Sequence, residues 1–320
     1  MVEGSSLSGQ QQRIPGDDRR IIFISVNYYC SELIKQMLAS LAAQQDGNVH
    51  CIVVDNSPYD SGLDDLARRD DVTLLRPGRN LGFGGGCNLA FDHLEQTQSD
   101  AIAWLINPDA RLLPGAIQQV RGCLQPSSHP PCLLGTRILD SHGSIWFSHG
   151  CFDPFWGKVY QDSPRYLDSG SSEQHVQRHR ECIEEFTESC DWVSGCSMIL
   201  DLAVIRLRVR FDSSIFLYYE DTELCLRMAK EGVPSRVIKQ LLVSHSVSAT
   251  MTHLPIGRYR HAAFGKLYLL HRHATPLAVL INVVRFFFVA VLLVFRDPAQ
   301  SIGKTVGVLA YFRWLVMRSA

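Results

Sequence analysis

The chain has 320 residues, of which 46% are hydrophobic and 20% charged, with 31 Lys and Arg against 32 Asp and Glu. This is the composition of a folded globular protein; it excludes a wholly disordered chain, and the near-zero net charge speaks against a general nucleic-acid binder. The charge is nevertheless uneven, because from His253 to Ala320 nine Lys and Arg face a single acid, Asp297, leaving that segment at +8 and the remainder at −9.

Residues 1–19, rich in Ser, Gln and Gly, predict a disordered leader. Ile21–Val26 is a short apolar run that suits a buried parallel strand and is too short for the core of a secretory signal. Leu33, Met37, Leu38 and Leu41 recur at helical spacing behind Ser31, a candidate N-cap. A second strand, Cys51–Val54, stops at the turn cluster Asp55-Asn56-Ser57-Pro58, and a third, Val72–Leu75, runs into Arg76–Asn80. The glycine-rich segment Gly82–Gly86 reads as a loop ahead of a helix at Cys87–Leu94. A fourth strand, Ala101–Ile106, ends at Asn107-Pro108-Asp109. Strands alternating with helices predict βαβ units and a mostly parallel sheet.

Between about 125 and 190 the rhythm gives way to loops, short strands and a mobile insertion near Asp162–Arg180. Trp192–Leu200 is strand-like, and Tyr218–Asp221 leads into a helix with Leu224, Cys225, Met228 and Ala229 on one side. Val237–Val243 is a last strand, reaching Ser244 and His245. Leu277–Phe295 is the longest apolar run, and Ile302–Met317 interleaves apolar and aromatic residues with Lys304 and Arg313. The basic charge beside these runs favours helices lying on an anionic membrane surface, with Arg285 snorkelling, over a spanning helix, a buried pair or an oligomer interface. Ten cysteines without a CxxC pair suit reduced thiols in a cytosolic compartment; Cys51 and Cys225 read as small core residues.

In open parallel sheets ligands bind outside the carboxyl ends of the strands. Three such ends read Asn27-Tyr28, Asp55-Asn56 and Asn107-Pro108-Asp109. Each alone is an ordinary turn; together they would make a polar rim, with Asp55 suited to a ribose or base edge and Asp109 to a hard divalent cation, Mg²⁺ or Mn²⁺. Gly82-Phe83-Gly84-Gly85-Gly86-Cys87 falls short of a dinucleotide fingerprint, because Cys87 stands at the third glycine and the segment follows the third strand. Glu220, Asp221 and Glu223 at a helix start fit either favourable capping or a general base. His245 fits either a surface imidazole or a metal or phosphate contact.

Asn27-Tyr28, Val54-Asp55-Asn56-Ser57, Asn80-Leu81-Gly82-Phe83 through Asn88, Asn107-Pro108-Asp109-Ala110, Ser194-Gly195-Cys196, Phe216-Leu217-Tyr218-Tyr219-Glu220-Asp221 and His245 occur in this order. From about Ile21 to Ala249 the chain thereby resembles the family-2 glycosyltransferases of the GT-A fold, in their rhamnosyltransferase-like branch. The resemblance implies an α/β, Rossmann-like domain over about 20–250, with basic apolar helices over 251–320 that associate with membrane. It implies that Val26, Asn27, Tyr28 and Asp55 hold the nucleobase and ribose, and that Arg79, Asn80 and the loop containing Gly84 border the nucleotide and sugar. Asn107 and Asp109 stand where the family has its metal motif, with Asp109 the only carboxylate there, and His245 matches its late metal or phosphate contact. Gly195 would lie beside the donor sugar, Asp221 would be the base, and Glu220 is the second candidate for that role.

The implied activity is inverting transfer of a sugar, L-rhamnose by branch, from a nucleotide-diphosphate donor to a glycan or lipid-linked acceptor. It would use Mg²⁺ or Mn²⁺, at the cytoplasmic face of the cell membrane, with no nucleic-acid partner. The competing reading is a catalytically silent nucleotide-sugar-binding or scaffold protein, which donor hydrolysis separates from an enzyme.

Overall fold

Successive side chains of strand β1 (Ile21–Asn27) point to opposite faces of a sheet, and both faces are apolar, so the strand must be covered on both sides. Ile21 and Phe23 pack on one face with helices α1 (Ser31–Ala42) and α3 (Ala116–Cys123). Ile22 and Ile24 pack on the other with α2 (Gly82–Thr97) and α4 (Glu220–Lys230). Helix, sheet and helix thus form three layers around two cores. The computed structural model of the protein describes residues 17–97, 100–124, 130–162, 187–205, 209–246 and 255–319. The expected leader up to residue 16, and the expected insertion from residue 163 on, lie outside them.

Strands β2 (Val49–Asp55), β3 (Val72–Leu75) and β4 (Ile102–Ile106) join β1 in a parallel run ordered β3-β2-β1-β4. Next to β4 lies β11 (Ser197–Asp201), antiparallel to both β4 and β6 (Leu133–Leu139). The long β12 (Ser235–His245) runs parallel to β6 and pairs antiparallel with β10 (Thr187–Cys190) and with the short β5 (Ala110–Leu112). A further strand, β7 (Ile145–Phe147), pairs with β6, and β8 (His149–Asp153) and β9 (Lys158–Asp162) form a separate hairpin. The strand-like run Trp192–Leu200 is therefore two things, a turn at 194–196 followed by β11.

The glycine segment is a correction. Gly82–Gly86 is not a loop but the first turn of α2, which runs to Thr97. Glycine costs about 1 kcal/mol in a helix interior, yet here a side chain has no room: a Cβ on Gly84 would meet Phe211 Cβ at 2.7 Å, and one on Gly86 would meet Val26 Cγ1 at 2.9 Å. Gly86 lets the helix lie directly against β1, and Gly84 lets it lie against Phe211. Two smaller differences have the same origin in packing. Cys30, not Ser31, is the N-cap of α1, and Ala229 is exposed while Glu220, Thr222 and Glu223 are buried on α4.

Three helices follow the sheet: α5 (Pro255–His273), α6 (Pro276–Leu293) and α7 (Pro298–Ser319). The Thr275 hydroxyl accepts the Ala278 N–H at 3.2 Å and Pro276 opens α6, a combination of cap and first-turn proline that starts a helix sharply. Leu267, Val308 and Tyr311 centre a small core of their own. The layer is seated on the sheet domain: Gly265 lets α5 approach so closely that a Cβ there would be 2.4 Å from the Tyr218 carbonyl oxygen, and the Tyr268 hydroxyl donates to Asp212 at 2.5 Å. Toward solvent, Leu280, Val284, Phe288 and Val291 make a continuous apolar stripe on α6, and Ile302, Val306, Leu309 and Val316 make another on α7. By length and composition α6 is apolar enough to cross a membrane, and only 17% of it is buried within the protein, so the buried-pair alternative does not hold for it.

Candidate active site

The register β1 to β2 aligns Asn27 with Asp55 at the carboxyl ends of both strands. Asn27 is fully buried there; its Nδ2 donates to Asp55 Oδ1 at 3.0 Å and Asp60 Oδ2 at 3.2 Å, and its Oδ1 accepts the Cys30 N–H at 3.1 Å. Asn27 is thus a brace between strand ends. Its bonds occupy one oxygen of Asp55, while the other, Oδ2, is buried without a hydrogen bond among the described residues and faces Arg76 Nε at 3.5 Å. That oxygen is the acceptor a ribose hydroxyl or base N–H would find. Tyr28, the residue after Asn27, is exposed, and Val26 is half-buried against Gly86. Asn80 accepts the Gly82 N–H at 2.9 Å, which organises the start of α2, and Arg79 is exposed. Gly84 is buried against Phe211, away from a loop role.

Asp109 and His245 meet through strand pairing. Ala110 of β5 faces His245 of β12, and the Ser246 N–H donates to the Asp109 carbonyl at 3.0 Å. The side chains follow, with His245 Nε2 at 2.9 Å from Asp109 Oδ1 and both residues buried. His245 Nδ1 is buried and makes no hydrogen bond among the described residues, and the Trp146 ring lies 4.6 Å from the imidazole. A carboxylate and an imidazole are donors suited to a divalent cation whose remaining positions are filled from outside. Among the described residues no three Asp, Glu, His or Cys side chains cluster as a self-sufficient metal site.

The turn Ser194–Cys196 links this pair to the acidic helix start. The Asn107 N–H donates to the Cys196 carbonyl at 3.2 Å, and the Gly195 N–H donates to Asp221 Oδ2 at 3.0 Å. Gly195 has no room for a side chain, since a Cβ would meet Phe83 at 2.9 Å. Burial pushes the Cys196 thiol well above its ordinary range, and the charges of Asp109 and Asp221 push it further, so the two carboxylates flank one turn.

Asp221 Oδ1 also accepts the Thr222 N–H at 2.7 Å. Burial raises the Asp221 carboxyl above the usual carboxylate range, and these donors hold it back. Glu220 is buried with Oε2 unpartnered among the described residues; burial first, then the neighbouring Asp221 charge, raises it as well. Two adjacent acids in one dry place cannot both ionise easily, and the better-solvated, better-bonded Asp221 keeps its charge more readily. Just before them, Tyr218 and Tyr219 both hold positive φ, 67° and 68°, a conformation that bulky residues avoid. The carboxylates are aimed by a strained turn that Gly265 of α5 abuts.

Of the residues expected at the site, Asp109 and His245 touch, Gly195 and Asp221 touch, and Asn27 and Asp55 touch. Arg79 and Asn80 stand apart from these contacts. Arg76, Asp60 and Trp146 escaped sequence reasoning. Arg76 carried a usable signal, since it directly follows a strand end as the other rim residues do; Trp146 comes from β7 and carried none.

The chain is similar to known proteins in sequence and in fold. The family described as Glycosyl transferase family 2 matches residues 21–124. The N-acetylglucosaminyl-diphospho-decaprenol L-rhamnosyltransferase of Mycobacterium tuberculosis is 26% identical over 274 residues, covering 78% of this chain and 84% of that protein. The dTDP-rhamnosyl transferase RfbF of Shigella flexneri is 21% identical over 294 residues, covering 88% and 90%. In fold, the chain is similar to the mannosyltransferase PcManGT of Pyrobaculum calidifontis, solved with GDP-Man and Mn²⁺ (TM-score 0.51, 16% identity, 96% of this chain and 86% of that one). It is also similar to GalNAc-T7, solved with UDP, GalNAc and Mn²⁺, of which it spans 44% (TM-score 0.51, 9% identity, 71% of this chain). A mixed sheet with a polar rim, an acid at a helix start and these relatives point one way: residues 21–124 match the family-2 glycosyltransferases, and the chain has a GT-A fold and is rhamnosyltransferase-like in its sequence.

Proposed function

We propose that this enzyme transfers L-rhamnose from a nucleotide-diphosphate donor, with inversion, to a hydroxyl of a lipid-linked saccharide at the cytoplasmic face of the membrane. The rhamnosyltransferase relatives support the sugar, and the diphospho-decaprenol named for one of them supports the lipid-linked acceptor. The observation that carries the reading is the placing of Asp221 and the Asp109–His245 pair on either side of the Ser194–Cys196 turn.

In this reading the nucleoside lies on the rim of β1 and β2, where Asp55 Oδ2 accepts from it and the exposed Tyr28 ring covers it. The donor diphosphate reaches Asp109 and His245. Their oxygen and nitrogen donors, and the buried His245 Nδ1 that makes no hydrogen bond among the described residues, fit a site that a cation and a diphosphate complete. Mg²⁺ or Mn²⁺ bound there would offset the negative charge growing on the departing diphosphate. Asp221 takes the proton of the acceptor hydroxyl as the new bond forms, because a neutral hydroxyl is a poor nucleophile. The Gly195 N–H holds the Asp221 carboxylate in place. Burial pushes the carboxyl of the more deeply buried Glu220 above the usual carboxylate range, which favours its neutral form and spares Asp221 a second charge. Attack opposite the leaving group inverts the anomeric centre without a covalent enzyme intermediate.

The stripes on α6 and α7 lie on the membrane surface in this reading, with basic residues of the same segment at the anionic lipid. A thermal-shift panel of nucleotide sugars with Mn²⁺ tests the donor: dTDP-rhamnose is expected to raise the melting temperature most, since a ligand that binds only the native state stabilises it. A UDP- or GDP-sugar that stabilises more, and is transferred faster, would replace rhamnose in the reading.

A further inference from the structure

One cavity in the helical layer plays no part in the chemistry described so far. It has a volume of about 290 Å³ and lies among α5, α6 and α7, lined by Tyr219, Lys266, Asn282, Arg285, Phe286 and Lys304 among others. Each of the three C-terminal helices contributes one cation, and no carboxylate lines the cavity. Among the described residues no acid pairs with Lys266, Arg285 or Lys304; the Lys304 ammonium instead lies 5.2 Å over the Phe286 ring. Burial and the neighbouring positive charges push both lysine amines below their ordinary range. Three unpaired cations drawn together in a partly dry space repel one another, and an anion with several acceptor oxygens removes that repulsion.

Two further observations narrow the anion. Tyr219, which lines the cavity, directly precedes Glu220 and Asp221 in the chain, so the cavity wall continues into the turn that carries the proposed base. The outer faces of the same α6 and α7 are the apolar stripes, where Phe288 is 64% and Val291 71% exposed. A molecule that meets all three has a lipid chain, an anionic joint and a hydroxylated sugar, in that order.

We infer that the Lys266–Arg285–Lys304 cavity binds the diphosphate of a lipid-linked acceptor, holding its sugar toward Asp221 while the lipid leaves along α6 and α7. The inference rests on the proposed function and gives its acceptor a place. It also accounts for a basic tail on an acidic body: the cations at 266, 285 and 304 neutralise the acceptor, apart from the donor diphosphate at Asp109 and His245.

The test uses the full chain and farnesyl diphosphate as probe, followed by calorimetry. Farnesyl diphosphate is expected to bind and farnesol to bind at least tenfold more weakly. R285Q and K304Q should each weaken the diphosphate by about 10- to 100-fold, the range of a charge-assisted hydrogen bond, and Lys304→Arg should restore most of the loss. In transfer assays the same substitutions should raise the KM for a lipid-diphosphate acceptor more than they lower kcat. Unchanged affinity in both glutamine variants overturns the inference, as does displacement of the probe by a nucleoside diphosphate, which would make the cavity part of the donor site. Phosphatidylglycerol vesicles that displace the probe as well as an unlabelled lipid diphosphate would reassign the cavity to a phospholipid headgroup and overturn it too. Thermal melting of each variant separates lost binding from lost folding, and the two single substitutions stand independently if one unfolds. Donor hydrolysis and transfer by the unaltered enzyme are measured separately: their absence would defeat the proposed function, whereas probe binding reports on the cavity itself.

Discussion

The rim of the sheet and the outer face of the C-terminal helices break the usual distribution of residues in opposite senses. At the rim, polar side chains are buried: Asn27, Asp55, Asp109, Glu220 and His245 are nearly inaccessible, and Asp55 Oδ2, Glu220 Oε2 and His245 Nδ1 lack hydrogen bonds among the described residues. On α6 and α7 large apolar side chains stand in solvent. A buried polar group without a partner costs free energy, and so does a contiguous exposed apolar stripe. Neither region is optimal for the isolated chain, and in the proposed function each would be complemented by a different kind of surface, the first by a charged and hydroxylated small molecule, the second by lipid. Under the proposed function the comparison has a simple meaning: a water-soluble donor would meet one side of the molecule and a water-insoluble acceptor the other.

The sharpest way to break this division is at the base. Asp221→Asn is expected to reduce transfer by about 10²–10⁴-fold, the usual range for loss of a general base, while donor binding by calorimetry persists; turnover near that of the unaltered enzyme would move the role to Glu220. On the lipid side, Phe288→Asp combined with Val291→Asp should weaken binding to phosphatidylglycerol vesicles by about 100-fold or more, since each large apolar side chain contributes about 1.5–3 kcal/mol when buried. Flotation assays at low salt measure this, and a protein that never floats with anionic vesicles would show that the stripes serve another surface. Asp109→Ala should weaken nucleotide binding by about 10- to 100-fold in the presence of Mn²⁺ and far less in its absence, the range of a single charged contact. Equal losses in both conditions would mean that Asp109 serves the fold alone.

The smallest expected effect concerns pH. Burial raises both acids of the Glu220–Asp221 pair in the folded state. With Asp221 as the proposed base, activity requires its ionised form, so transfer is expected to be lost as pH falls through its raised value, with an acid limb above that of an ordinary carboxylate. For stability the sign is opposite. A carboxyl raised by folding binds its proton more tightly in the native state, so its favourable contribution is complete at pH below its unfolded value and disappears as pH rises through the folded one. Glu220→Gln should therefore raise the melting temperature by a few degrees at pH 8 to 9 and leave it nearly unchanged at pH 4, as followed by circular dichroism. A flat difference across pH would show that Glu220 titrates normally.

Much of the sheet was legible in the sequence because buried parallel strands are continuous apolar runs and end abruptly at polar turns. Ile21–Val26, Cys51–Val54, Val72–Leu75 and Ala101–Ile106 each lie on or within one residue of an observed strand. The order of motifs likewise carried the family, since short sequences such as Asn107-Pro108-Asp109 and Glu220-Asp221 keep their character wherever the chain folds. The glycine segment misled, because local propensity speaks against a helix at Gly82–Gly86 and only the closeness of Phe211 and Val26 reverses that preference.

What the residue order determined by itself was local: which runs must be buried, where they stop, and which stops are acidic, imidazole-bearing or glycine. The convergence of those stops was decided by long-range pairing, which no local pattern encodes. Asp109 reaches His245, 136 positions away, only because β5 pairs antiparallel with β12. Asp221 reaches Gly195 only because α4 packs on the sheet beside the turn that precedes β11. The three cations at 266, 285 and 304 read in sequence as scattered basic residues; helix packing, which buries apolar faces and thereby draws polar edges together, made them the lining of one cavity.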